Sequence, residues 1–165
     1  VPFLYYGDEI GMKYQQLVSK EGGFNRTGSR TPMQWSNEKN LGFSTADEKH
    51  LYLPVDTNID APNVEKQKND KDSMLCFIKE LLALRKVNKE LGAEGDFEIL
   101  YAEKNEYPLM YKRGKFIVAV NPSGKQVSVP INQRGKVIYS IGDCNCENKK
   151  VFLNEQSFCV IEAEK

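Results

Sequence analysis

The sequence predicts an α+β fold in which a short strand, a long loop and one amphipathic helix precede an antiparallel β-sandwich. The chain opens on a nearly continuous apolar run over Val1–Tyr6, which is typical of a strand buried on both faces. An apolar stripe with helical spacing covers Asp70–Lys89, and beyond Leu91 the apolar residues recur at every second position. We therefore expect two domains, residues 1–91 and residues 92–165.

The clearest single element is the helix over Asp70–Lys89. Acidic residues stand at its start and basic residues at its end, which complements the helix dipole. A shorter helical turn is predicted just before it, over Asn63–Lys68. The apolar stripe of the main helix consists of Met74, Phe77, Ile78, Leu81, Leu82 and Leu84.

The long segment between Gly7 and Lys71 shows little periodicity. Loops longer than roughly 12–15 residues inside compact domains are usually functional or disordered. This segment carries several large apolar residues, so we expect it to be ordered. They are Phe24, Met33, Trp35, Phe43 and Tyr52.

The remainder of the chain contains short runs with a period of two, separated by turn residues such as Gly, Asn, Asp and Pro. This pattern predicts an antiparallel sandwich. The expected strands are Phe97–Tyr101, Pro108–Lys112, Phe116–Val120, Gln126–Ile131, Val137–Ile141, Lys150–Leu153 and Phe158–Ile161.

The composition is that of a globular protein without net charge. Hydrophobic residues make up 40% and charged residues 28% of the 165 residues, and the 23 basic residues balance the 23 acidic ones. No net field would attract nucleic acid or an anionic membrane surface. No apolar run approaches the roughly 20 residues of a transmembrane helix. We expect neither a nucleic-acid nor a membrane partner.

The four cysteines are interpreted as free thiols. Cys76 lies in the helical pattern, while Cys144 and Cys146 stand too close together for an easy mutual bridge, and Cys159 is the fourth. Free thiols are typical of a reducing compartment, so we expect a cytoplasmic protein. A structural zinc site normally needs four ligands, and the only histidine is His50. The sequence therefore predicts no metal site and no cofactor.

The stretch Ser29–Trp35 is the candidate functional segment. It places Arg30 beside residues that favour burial and ends on the only tryptophan. A guanidinium presents five donors in a fixed fork, and an aromatic ring nearby can shield it and stack on a sugar. The alternative is structural: Arg30 pairs with a carboxylate and Trp35 fills a core.

Residues 1–12, followed by Gly-Ser-Arg-Thr-Pro-Met-Gln-Trp at 28–35, resemble the α-amylase superfamily, glycoside hydrolase family 13. Within it the match is closest to α-glucosidases, oligo-1,6-glucosidases and trehalose synthases. The resemblance covers about the first 90 residues and reaches the remainder only by position. Further segments in the same order are Leu41–Ser44, Tyr52–Val55, Asn63–Gln67 and Leu84-Arg85.

The resemblance implies a fold and a substrate. Val1–Tyr6 would be the last strand of a (β/α)₈ barrel, Asp70–Lys89 its last helix, and the final 75 or so residues the family's C-terminal β-sandwich. The fold class implied is thus the remnant of the last βα unit followed by that sandwich. Arg30 would help to hold the non-reducing glucose of an α-glucoside or malto-oligosaccharide.

The resemblance also implies that this chain has no catalytic residue of its own. The nucleophile Asp, the acid/base Glu and the transition-state-stabilising Asp of the family belong to earlier strands, and none maps onto this sequence. Asp8-Glu9 is a poor substitute, because neighbours on an extended chain point to opposite faces while a retaining hydrolase needs two carboxyls roughly 5–5.5 Å apart. We expect the C-terminal portion of an α-glucosidase, inactive in isolation, whose partner is the missing N-terminal barrel portion.

Two other interpretations remain open. The chain would be a non-catalytic carbohydrate-binding or structural module if its β-rich part carried an aromatic platform. It would be a half-barrel that pairs with another chain if the edge at Val1–Tyr6 sought a partner strand. The platform candidates are Tyr101, Tyr107, Tyr111, Phe116 and Tyr139.

Overall fold

The computed structural model describes residues 2–19 and 26–164, which form two compact units. These units are Val1–Leu84 and Arg85–Lys165, so the division falls inside the longer helix. The domain boundary at residues 91/92 stays a prediction. Within the described ranges, every helix is too short or too polar to cross a bilayer.

The first unit is built from short helical segments joined by ordered loops. Its α-helices are α1, Val64–Lys68, and α2, Met74–Val87, the second of which runs on past the unit boundary. Single 3₁₀ turns occupy Asp8–Ile10, Thr27–Ser29, Lys39–Gly42 and Glu48–His50.

Side-chain caps explain where both α-helices begin. The side chain of Asn63 accepts a hydrogen bond from the Lys66 amide, which satisfies one of the free N–H groups of the first turn of α1. The Ser73 hydroxyl accepts from the Cys76 amide (3.3 Å) in the same way at the start of α2. The two predicted helices are confirmed, and α2 is shorter than predicted because Ser73 caps it after a turn that begins at Asp70.

Residues 2–5 form no strand, which corrects the prediction of a strand over Val1–Tyr6. Val1 lies outside the described residues. A strand exists only through hydrogen bonds to its neighbours, and neither sheet of the described structure includes this segment. Its backbone instead turns locally, with the Asp8 amide donating to the Tyr5 carbonyl at 3.1 Å. An apolar run predicts burial, but it cannot supply the partner that sheet pairing needs.

A small core fixes the long loop to the helices in the first unit. Ile10, Met33 and Leu75 are buried together. Gln67 supports this contact, because its Nε2 donates to the Ile10 carbonyl (2.8 Å) and its Oε1 accepts from the Leu75 amide (3.0 Å). The described residues of the loop thus pack against the helices, and Phe24 lies outside the described residues.

The second unit consists of eight strands in two antiparallel sheets. One sheet has the order β1-β2-β3-β8-β5 and the other the order β4-β7-β6. The strands are β1 Glu98–Tyr101, β2 Leu109–Arg113, β3 Phe116–Asn121, β4 Val127–Pro130, β5 Gly135–Ile141, β6 Cys144–Glu147, β7 Lys150–Leu153 and β8 Ser157–Ala163.

Seven of these strands were predicted, and β6 was missed. Its sequence, Cys-Asn-Cys-Glu, contains no β-branched or aromatic residue, although half-buried Cys144 and Cys146 alternate with exposed Asn145 and Glu147. The cysteines are the apolar positions of this strand. The alternation of buried and exposed side chains in β6 becomes visible when the two cysteines are counted as apolar residues.

One buried cluster contains residues from both sheets. Met110, Ile117 and Ile161 come from the larger sheet, while Val151 and Leu153 come from β7 of the smaller sheet. Strand β3 lies between β2 and β8 and is buried over most of its length, which agrees with its nearly continuous apolar sequence. This cluster is the main core of the second unit.

Candidate functional site

A cavity of about 440 Å³ in the first unit has Arg30 and Trp35 in its wall. Its lining is mostly aromatic and apolar, with few polar groups, as is typical of small-molecule sites. The polar and aromatic residues of the wall include Tyr6, Glu9, Arg30, Trp35, Phe43 and Tyr52.

Arg30 follows the 3₁₀ turn Thr27–Ser29, and its amide donates to the Thr27 carbonyl at 3.0 Å. Thr27 and Thr31 are buried on either side of it, whereas the Arg30 side chain is half-buried in the cavity wall. Buried neighbours fix the backbone at this point. The guanidinium is consequently presented from an anchored position.

Tyr6 forms a second polar group of the wall. Its hydroxyl donates to the Thr31 carbonyl at 3.0 Å, and its ring lies 4.7 Å from that of Tyr5. Partial burial raises the pKa of Tyr6, the neighbouring Tyr5 raises it further, and the positive charge of Arg30 acts in the opposite direction. Tyr6 is therefore a neutral hydroxyl at physiological pH, within the electrostatic reach of Arg30.

The backbone of Trp35 is held on both sides. Its amide donates to the Leu41 carbonyl (2.8 Å) and its carbonyl accepts from the Glu65 amide (2.9 Å). The ring itself is 50% exposed, so Trp35 does not fill a core. This finding removes the part of the structural alternative that concerned Trp35.

The turn that faces Trp35 is strained. Asn40 and Leu41 have φ values of 53° and 56°, a left-handed conformation that costs an ordinary residue roughly 1–2 kcal/mol. The Asn40 amide group stabilises the turn by donating to the carbonyls of Ser44 (2.7 Å) and Ala46 (2.9 Å). Strain of this kind is often found where a side chain must be presented.

Thr31, Pro32 and Met33 also line the cavity, but all three are buried. Met33 belongs to the small core of this unit. Gln34 is almost fully buried, and its carbonyl accepts from the Val64 amide at 3.1 Å. The stretch therefore divides into packed residues and two presented side chains, Arg30 and Trp35.

The adjacent acids Asp8 and Glu9 both accept hydrogen bonds from backbone amides. Asp8 Oδ2 accepts from the Tyr5 amide (2.9 Å), and Glu9 Oε2 accepts from the Gly7 amide (2.8 Å). Glu9 also lies in the cavity wall and is the one carboxylate there among the described residues. His50 ends an exposed 3₁₀ turn.

Among the aromatic residues suggested for a platform in the β-rich part, Tyr111 and Tyr139 lie on one face of the larger sheet, in a row paired through Val118 and Val160, but they are packed rather than openly presented. Phe116 is buried in the second unit. Tyr111 packs on Phe97 with ring centroids 5.1 Å apart, and Tyr139 packs on Phe158 at 5.8 Å. Tyr107 is 47% exposed beside a separate cavity of about 460 Å³, and Tyr101 is half-buried.

Sequence reasoning missed four polar or aromatic residues of the cavity wall, besides the aliphatic Leu51 and Leu53. Tyr6, Glu9, Phe43 and Tyr52 all line it, although each was assigned another role or none. All four stand in or at the edge of the segments that carry the family resemblance, residues 1–12, 41–44 and 52–55. That shared feature was the signal that could have found them.

A model of the α-amylase catalytic domain matches residues 1–94. The chain belongs to the α-amylase family. The trehalose synthase/amylase TreS of Mycobacterium tuberculosis is 43% identical over 89 residues, covering 52% of this chain and 14% of the relative. The salivary α-glucosidase of Aedes aegypti is 33% identical over 147 residues, covering 78% of this chain and 24% of the relative.

The fold of this α-amylase-family chain is also found in solved structures. Isomaltulose synthase from Erwinia rhapontici NX5 superimposes with a TM-score of 0.83 at 20% identity, covering 99% of this chain and 35% of the synthase. The probable oligo-1,6-glucosidase 2 of Bacillus subtilis is 30% identical over 159 residues and is covered over 28% of its length. The chain thus spans well under half the length of these relatives.

Proposed function

We propose that this chain is the C-terminal portion of an α-glucosidase-like glycoside hydrolase and that Arg30 binds the glucosyl unit of its substrate. The observation that carries the proposal is the division of Ser29–Trp35 into packed residues and two presented side chains. Arg30 and Trp35 share one cavity wall, which is the combination that sugar recognition uses.

The chemistry of the wall suits a pyranose ring. The Arg30 fork can donate to two neighbouring hydroxyls, and hydrogen bonds from a charged donor contribute roughly 1.5–3 kcal/mol each. The rings of Trp35, Phe43 and Tyr52 offer apolar faces on which the C–H side of a sugar can stack. The substrate class proposed is an α-glucoside or a malto-oligosaccharide, in keeping with the names of the relatives.

The proposal also includes a barrel remnant in the first unit and a β-sandwich in the second unit. The loop of the first unit and α2 correspond to the last βα unit of a (β/α)₈ barrel, and the two sheets form a C-terminal β-sandwich. The buried cluster that draws on both sheets supports the sandwich. Exposed Phe3, Leu4, Met74 and Leu82 support a partner surface, which the remaining barrel portion would cover. The free thiols support a reducing, cytoplasmic setting.

The reacting carboxylates are proposed to lie outside this chain. A retaining mechanism needs one carboxyl as nucleophile and a second as acid and then base. Glu9 already accepts a backbone hydrogen bond, and the described part of the cavity wall offers it no second carboxylate. The proposal is therefore a substrate-binding wall whose chemistry is completed by other polypeptide.

The isolated chain is expected to release no nitrophenol from a nitrophenyl α-glucoside above a buffer blank. The physical reason is the missing pair of convergent carboxyls. The control is Glu9→Gln, which removes the one acid of the wall. Turnover that survives purification and disappears in Glu9→Gln would show that the chain carries its own catalytic group.

Replacing Arg30 by Lys is expected to weaken sugar binding about tenfold or more. Lysine keeps the positive charge but loses the planar fork that serves two hydroxyls at once. The emission of Trp35, the only tryptophan, reports binding during a titration with maltose or methyl α-glucoside. Arg26→Lys is the matched control, because Arg26 belongs to the same loop but not to the cavity wall.

Two outcomes would count against this assignment. Equal affinity in Arg30→Lys and the wild type would remove Arg30 from the binding site. Loss of binding in Tyr107→Ala, with Arg30→Lys unaffected, would favour the alternative of a carbohydrate-binding module in the second unit, since Tyr107 lies beside the separate cavity there.

A further inference from the structure

Three of the four free cysteines gather at the core of the second unit. Cys159 on β8 is completely buried in the cluster that draws on both sheets. Cys144 and Cys146 lie on one face of β6, at positions i and i+2, and both pack against that cluster. Strands β6 and β8 contact each other, although they belong to different sheets.

Access from solvent distinguishes these three thiols. A surface cavity of about 400 Å³ is lined by Cys144 together with Asp143, Asn145, Phe152 and Asn154. Cys146, two residues further on, is not among its lining residues. A small solute in this cavity therefore meets Cys144 first, whereas Cys159 is completely buried in the cluster against which Cys144 packs.

We propose that Cys144 is an oxidation site for hydrogen peroxide or a small organic peroxide, and that Cys159 resolves the product to give a Cys144–Cys159 disulfide joining β6 to β8. The proposal is independent of the glucosidase function, because all its parts lie in the second unit.

The reaction has two balanced steps. The Cys144 sulfur attacks one peroxide oxygen, the O–O bond breaks, and Cys144–SH plus H₂O₂ gives Cys144–SOH plus water. The Cys159 sulfur then attacks the sulfenic sulfur, the S–OH bond breaks, and the proton of Cys159 leaves with the hydroxide as a second water. Each sulfur loses one electron, and the two electrons reduce the peroxide. A dithiol reductant reverses the disulfide.

The order of the two steps follows from burial. Desolvation raises the pKa of Cys159, and the neighbouring Cys144 raises it further. Because the thiolate is the reactive form, Cys159 is inert towards oxidants in solution and reacts only once an electrophilic sulfur is held against it. Desolvation also raises the pKa of Cys146, which makes Cys146 a poor competitor.

Peptide mapping tests the proposal directly. The protein is treated with hydrogen peroxide, blocked with an alkylating agent and digested with trypsin without reduction. Trypsin cleaves beside Lys136, Lys149 and Lys150, so Cys144 and Cys159 fall on different peptides, residues 137–149 and 151–165. The expected dominant product is a linked pair of these peptides, with fragment ions that place the bridge at Cys144 and an alkylated Cys146.

Matched serine variants and a stability measurement complete the test. Cys146→Ser should retain the bridge, whereas Cys144→Ser should lose it. The oxidised wild type should unfold at a higher temperature than the reduced protein, and dithiothreitol should abolish the difference, because a bridge restricts the unfolded chain. A bridge from Cys146, a Cys144–Cys146 bridge, or sulfinic acid at Cys144 without a bridge would each overturn the proposal, and so would unreacted thiols.

Discussion

Gly28→Ala is expected to destabilise the first unit and to weaken sugar binding at the same time. A Cβ at this position would overlap the carbonyl oxygen of Gln15 and lie 2.8 Å from Tyr14 Cζ. Both separations are shorter than 3.0 Å, a distance within which Cβ atoms in proteins essentially never approach another heavy atom. The Gln15 amide also donates to the Gly28 carbonyl at 3.0 Å, so the two backbone segments cannot separate without breaking this hydrogen bond.

The expected loss of unfolding free energy is large because the added Cβ meets a backbone carbonyl. Overpacking against side chains costs typically about 1–3 kcal/mol, and a backbone carbonyl yields less readily than a side chain. We therefore expect a loss of about 3 kcal/mol in the unfolding free energy. Arg30 is only two residues away, so displacement of Gly28 also moves the guanidinium that the proposal assigns to the substrate.

Denaturant unfolding followed by Trp35 emission measures this effect, since the only tryptophan lies in the same unit as Gly28. Gly124→Ala is the control in the second unit, and its unfolding is followed by far-UV circular dichroism because Trp35 does not lie in that unit. An added Cβ there meets no atom within 4 Å, so its unfolding free energy should change by less than about 1 kcal/mol. Equal midpoints for Gly28→Ala and the wild type would show that the two segments do not pack as described.

Gly28 also shows where sequence reasoning stops. The need for glycine comes from a backbone segment thirteen positions earlier in the chain, which no local pattern contains. Arg30 was different, because its charge in a stretch that also holds Pro32, Met33 and Trp35 already predicted a side chain presented from a packed loop. The charge of Arg30 among apolar neighbours is visible in the sequence. The close approach of the Gln15 backbone to Gly28 is visible only in the folded structure.

The strands show the same limit. Short apolar and alternating runs between turn residues identified seven of the eight strands. The alternation was overlooked at β6, where cysteine serves as the apolar residue, and the separate prediction of a strand from the apolar run at Val1–Tyr6 was wrong, since this segment has no sheet partner in the described structure. Periodicity reports which side chains seek burial, and pairing depends on which strands are present.

The substitution Asn121→Asp is expected to cost about 3–5 kcal/mol in the second unit at neutral pH, the range for an uncompensated buried charge. Asn121 is completely buried at the end of β3. Its Nδ2 donates to the carbonyls of Lys125 (2.8 Å) and Asn154 (2.7 Å), and its Oδ1 accepts from the Ser123 hydroxyl (2.7 Å). The change would turn two donated hydrogen bonds into contacts between acceptors.

The loss of stability in Asn121→Asp should increase as the pH rises. Burial and the facing carbonyls favour the neutral acid, so the folded-state pKa of the introduced carboxyl is raised above its unfolded value of about 3.9. Relative stability is then highest below about pH 3.9, where the acid is protonated and one O–H donor is restored, and it is lost as the pH rises through the folded pKa. The deficit against the wild type should therefore be smaller at pH 4 than at pH 7.

Thermal unfolding by far-UV circular dichroism at both pH values measures the deficit, and hydrogen exchange of the β3 and β8 amides locates it. Asn132→Asp is the matched control, because Asn132 is exposed and the same change should shift stability by less than about 0.5 kcal/mol. A deficit that is equal at pH 4 and pH 7 would mean that the introduced carboxyl reaches water. In that case the Asn121 side chain would not be the buried group whose hydrogen bonds link the turn after β3 to the segment before β8.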